Sequence, residues 1–135
     1  MISNKVKAYG FILPGIHGKY SVVQRGAIVE EGVILRCGAV IQSGAIVKAH
    51  SMIGDHVLVG HDTVVDEYVH IVAGSSIGRD CHIGKGALIG NGSTVLNGVQ
   101  IANHVLIGAK SLVNKNCIEA GRTYFGSPVR LIEKK

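Results

Sequence analysis

The chain has no tryptophan, and aromatic residues make up only 4 % of its 135 positions. Large aromatics usually dominate a globular core. Their scarcity, beside a hydrophobic content of 47 %, points to a narrow interior filled by Val, Ile and Ala. No apolar run approaches the roughly 18 residues needed to cross a bilayer. The N-terminus shows no charged stretch leading into an apolar one, so no export signal is expected. Cys37, Cys81 and Cys117 are odd in number and widely spaced. That excludes a disulfide framework or a zinc motif and fits reduced thiols. A soluble, cytoplasmic protein without a membrane partner is expected. The formal charge of +5 suits an anionic ligand. It is too scattered, and stacking aromatics are too few, for nucleic acid.

What the chain has instead is glycine, 19 of them against two prolines, and a strict period. From Val23, every sixth residue through Val113 is Val, Ile or Leu. Two positions earlier stands a second column of small or β-branched residues, among them Ala27, Ala39, Ser51, Thr63, Ser75, Ala87 and Ser93. A turn former often precedes that column, as at Gly26, Gly44, Asp62, Gly74, Asp80 and Gly92. A period of six fits no α-helix. It fits short strands joined by sharp turns, three hexads closing one triangular coil. The fold class is therefore all-β, a parallel β-helix of about five coils in one domain. Residues 1–19 form an N-terminal cap, 20–113 the β-helix and 114–135 a C-terminal cap. Residues 18 apart stack, about 4.8 Å from coil to coil.

The residue before each inward aliphatic points outward. Many of these are apolar: one 18-spaced column reads Ile34, Met52, His70, Leu88, Leu106. Outward β-branched residues partly reflect strand preference. A continuous apolar strip also marks a partner surface, which predicts a cyclic homo-oligomer.

Seven histidines are present, and at turns or outward positions most histidines are simply solvated. His50 and His104 are three coils apart in one turn column, as ordinary corner residues would be. His56 and His82 carry no further signal. His61 stands in the segment Val59-Gly60-His61-Asp62, and His70 follows in Tyr68-Val69-His70-Ile71. Nine residues is half a coil, so the two cannot easily meet on one prism. They can converge across a subunit interface.

With these residues in view, the chain resembles the β-helix domain of bacterial sugar acetyltransferases. It is most similar to sialic-acid O-acetyltransferases and bacillosamine-pathway N-acetyltransferases of the hexapeptide-repeat superfamily. The likeness runs hexad by hexad from about residue 20. The family's His-Asp signature falls on His61-Asp62 and its second His on His70. Its closing G-N-P-A segment resembles Gly126-Ser127-Pro128-Val129. His17 resembles a histidine that often opens such domains. The resemblance implies a left-handed coil, an exception to the right-handed crossover rule, and a homotrimer. It also implies transfer of an acetyl group from acetyl-CoA, with no metal. The acceptor would be an amino or hydroxyl group of a sugar or nucleotide sugar. His61 would be the general base, since an unperturbed imidazole titrates near 6.5. The backbone N–H of Arg79 would hold the oxyanion. Pantetheine would run between subunits near Gly90, Gly92 and Gly108. Lys110 or Arg130 would meet the CoA phosphates.

The chain departs from the family at Gly54, where relatives often carry Asn, and at Arg79, where they often carry Gly. It also shows no G-x-G-x-x-G after a strand, the mark of the relatives' nucleotide-sugar-binding domain. The acceptor site is then expected from the trimer or from another protein. Two other readings stay open. One is a non-catalytic β-helix scaffold or subunit, favoured by these departures. The other is a γ-class carbonic anhydrase, whose three His ligands would need His where this chain has Arg25 and Asp66.

Overall fold

A computed structural model describes residues 15–132. Most of the expected N-terminal cap lies outside the described residues. Those described contain strands and turns, and no helix long and apolar enough to cross a membrane. Every hexad makes a strand of two residues followed by a turn, which forces three parallel sheets. The first face runs from Ile16–His17 through Ile34–Leu35, Met52–Ile53, His70–Ile71, Leu88–Ile89 and Leu106–Ile107 to Thr123–Phe125. The second runs from Val22–Val23 to Leu112–Val113 and the third from Ile28–Val29 to Gln100–Ile101. Pairing is in register at 18 residues, as in His70 with Met52 and Leu88. The result is a triangular parallel solenoid of about six turns, the architecture of a left-handed β-helix.

That is one turn more than the repeats alone suggested, and both ends contribute. Ile16–His17 already pairs with Ile34–Leu35. At the other end the pattern breaks after Val113 but recovers. Cys117 bridges to Ile101, and Tyr124 pairs with Ile107 after a step of 17 rather than 18. Arg130–Leu131 then folds back antiparallel on Thr123–Phe125 and covers the last rung.

The inward aliphatics from Leu35 to Val113 form the core, nearly all of them fully buried. Val23 and Val29 stay partly exposed, because no described coil covers that end. The second inward column carries hydroxyls at Ser51, Thr63, Ser75, Ser93 and Ser111, each buried. They bridge coils. Thr63 Oγ1 donates to Gly78 C=O at 2.7 Å and accepts from Cys81 N–H at 3.1 Å. A buried polar group without such partners would cost stability.

Candidate active site

Three faces make three corners, and the candidate residues divide between two of them. His61 is the first turn residue between Leu58–Val59 of the second face and Val64–Val65 of the third. This corner lies opposite the first face. The column through it reads Arg25, Ser43, His61, Arg79, Asn97, Lys115, one residue per coil. The ring is half-buried, and its Nδ1 lies 3.3 Å from Ser43 C=O, one coil earlier. A carbonyl only accepts, so Nδ1 carries the proton in that hydrogen bond. The lone pair of the neutral ring is then on Nε2. Asp62 is exposed and has φ +58°. Its N–H donates to the same Ser43 carbonyl at 3.3 Å, so it shapes the turn.

Arg79 is the next residue up this column. Its guanidinium pairs with Asp80, Nε to Oδ2 at 3.1 Å, on the exposed surface. Its backbone N–H, the expected oxyanion donor, already donates to Asn97 Oδ1 at 3.0 Å. Asn97 reaches that amide because Gly78 has no side chain: a Cβ there would collide with Asn97 Oδ1.

The expected CoA residues gather at the corner between the first and second faces. Gly90 and Gly108 stack one coil apart, and Lys110 lies over Gly92. The Phe125 ring rests against Gly108, and Arg130 is the register partner of Phe125. Gly54 belongs to this same corner column, not to that of His61. Any Cβ at Gly54 would come within 2.6 Å of Ala73 N. Packing therefore demands glycine there, and an Asn would not reach His61 of the same chain. His70 lies apart from both groups, outward and half-buried on the first face between Met52 and Leu88. No single chain brings His61 and His70 together.

One polar group was not anticipated. Asp66 Oδ2 lies 2.8 Å from His82 Nε2, and its Oδ1 lies 3.3 Å from Lys48 Nζ. Its hydrogen bond and its charge hold the Lys48 ammonium above its usual range. Beside them a cavity of about 250 Å³ is lined by His82, Gln100, Asn103 and Ile118, among others. The 16-residue separation of Asp66 and His82 matches neither the hexad nor the coil, so spacing gave no sign of the pair. Among the described residues no group of three or more His, Cys, Asp or Glu is placed to hold a metal ion.

Period, coil and turn chemistry define a parallel β-helix built on a six-residue repeat. The family described as bacterial transferase hexapeptide (six repeats) matches residues 80–115. No curated protein sequence matches the chain. Among solved structures, the acetyltransferase domain of PglB from Neisseria gonorrhoeae, in complex with acetyl coenzyme A, superposes with a TM-score of 0.90 at 27 % identity. The match covers 97 % of this chain and 63 % of that one. A perosamine N-acetyltransferase from Caulobacter crescentus, in complex with CoA and GDP-perosamine, shares the fold with a TM-score of 0.74 at 22 % identity, over 98 % and 63 % of the two chains. The serine acetyltransferase of Neisseria gonorrhoeae matches with a TM-score of 0.65 at 25 % identity, over 72 % of this chain and 41 % of its own. The chain thus spans less than two thirds of the proteins it resembles.

Proposed function

We propose that the chain is an acetyl-CoA-dependent acetyltransferase that works as a homotrimer on the amino or hydroxyl group of a sugar. The observation that carries this reading is the likeness, over 97 % of the chain, to a domain seen with acetyl coenzyme A. The geometry of His61 suits the chemistry. With Nδ1–H held toward Ser43 C=O, Nε2 is free to accept a proton. As the acceptor's N or O attacks the thioester carbonyl, its proton passes to Nε2. The tetrahedral intermediate collapses, the C–S bond breaks, and the imidazolium returns the proton to the CoA thiolate.

Two features support an oligomer, and the number three is what the family resemblance implies. The outward column of the first face is apolar, with Leu106 still 42 % exposed. His61 lies at the corner opposite that face, and the glycine corner borders it, so a ring of copies would set His70 of one beside His61 of the next. Head-to-tail contacts of this kind close into rings. Gly90, Gly92, Gly108, Lys110 and Arg130 would then flank the pantetheine and the phosphates from one side of the groove.

Calorimetric titration with CoA tests the reading. Binding is expected well below millimolar, and His61→Ala is expected to abolish transfer with CoA affinity little changed. Absence of binding at millimolar CoA overturns the proposal.

A further inference from the structure

The amide of Arg79 is the natural place for an oxyanion one coil beyond His61, yet Asn97 Oδ1 already occupies it at 3.0 Å. We infer that the carboxamide of Asn97 supplies the oxyanion donor itself, in place of the backbone. The inference rests on the acetyltransferase reading above.

The chemistry of the contact fixes the direction of the side chain. Arg79 N–H can only donate, so the atom facing it is the carboxamide oxygen. The Asn97 NH2 must then turn away from that amide. Among the described residues it makes no hydrogen bond, and the residue is exposed. Asn97 sits two coils beyond His61 in the same column, and its side chain reaches back one coil, over Gly78 and Arg79. Its head group is thereby about one coil spacing, roughly 5 Å, from the level of His61. A thioester oxygen near His61 would meet these N–H bonds before it met the covered amide. Side-chain carboxamides are established donors to such oxyanions.

Capping a turn amide from the next coil is a general device of this fold. Asp55 caps Cys37 and Asn103 caps Lys85, each at 3.0 Å. The device explains why the Asn97 carboxamide lies back over the turn of the preceding coil. It does not need an NH2 group, since Asp55 performs it with a carboxylate. That difference makes the proposal separable from a purely structural role.

The test compares Asn97→Asp and Asn97→Ala. Release of CoA from acetyl-CoA is followed chromatographically, with hydroxylamine as surrogate acceptor and His61→Ala as the baseline. CoA affinity is measured separately on every variant. Asn97→Asp keeps the capping oxygen and loses the donor, so kcat is expected to fall about 100- to 1,000-fold. Asn97→Ala uncovers the Arg79 N–H, which can take over, so its loss is expected to be smaller. The order wild type, Ala, Asp supports the inference. An Asp variant within threefold of wild type overturns it, as does an Ala variant faster than wild type or slower than Asp. If wild type binds no CoA, or turns over no faster than His61→Ala, the acetyltransferase reading fails and the inference falls with it.

Discussion

The hydroxyl of Thr63 offers a test of how this narrow core is held together. Thr63 is fully buried, and its Oγ1 joins Cys81 N–H to Gly78 C=O across the gap between coils. Thr63→Val keeps the shape and removes both hydrogen bonds. Cys81 N–H then has no partner, in a region where the hydrogen bond is fully buried. The Gly78 carbonyl is half-buried and can find water. One orphaned buried donor costs about 1–3 kcal/mol, and no cavity adds to it. At this chain length each kcal/mol moves the melting temperature by about 3–4 °C, so a fall of about 3–12 °C is expected. Thr63→Ser keeps the hydroxyl and loses a methyl, a cost nearer 1 kcal/mol. Thermal unfolding at one fixed protein concentration should therefore rank wild type, Ser, Val. A core stabilised by volume alone would rank Val above Ser. That order, or a Val variant within about 0.5 kcal/mol of wild type, would refute the argument.

Two further predictions concern the surface and the thiols. Leu88 points outward from the first face between His70 and Leu106. In the proposed trimer Leu88→Glu would bury a charge at the interface, so light scattering is expected to show trimers for wild type and monomers for the variant, with the far-ultraviolet spectrum unchanged. Burial pushes the Cys117 thiol from an ordinary 9.0 up to about 11, and burial raises Cys81 as well, while Cys37 is exposed. A disulfide reagent at pH 8 should therefore titrate one thiol quickly and the others only on unfolding. The pH dependence has a definite sign. The unfolded Cys117 ionises from about 9, whereas the folded one stays neutral to about 11. Its stabilising contribution is full below pH 9 and is lost as pH rises through 11. The alkaline loss of stability should be smaller in Cys117→Ala.

The six-residue period made most of the fold legible, because it assigns each side chain a direction before any contact is known. It set the inward column from Leu35 to Val113, and the structure buries that column. It set the apolar outward column of the first face as well. The last rung was hidden for a simple reason. A 17-residue step carries Tyr124 back beside Ile107, and no fixed period can express a deletion.

The candidate site was legible only in part, because its contacts run between columns. Arg79 and Asn97 are 18 apart in one turn column, so the spacing alone would have paired them. What it could not tell is which atom of Asn97 faces the amide. The answer comes from the Arg79 N–H, which can only donate and so faces the oxygen, while the missing Cβ of Gly78 gives the carboxamide room to lie back over the coil below. His82 and Asp66 show the opposite case, an outward strand residue meeting a post-strand residue of the preceding coil at 2.8 Å. A repeat therefore specifies which residues share a column and which coil they occupy. The chemistry arises where a side chain leaves its own rung, and at Asn97 it does so one coil from His61, whose ring is anchored to a carbonyl of its own column.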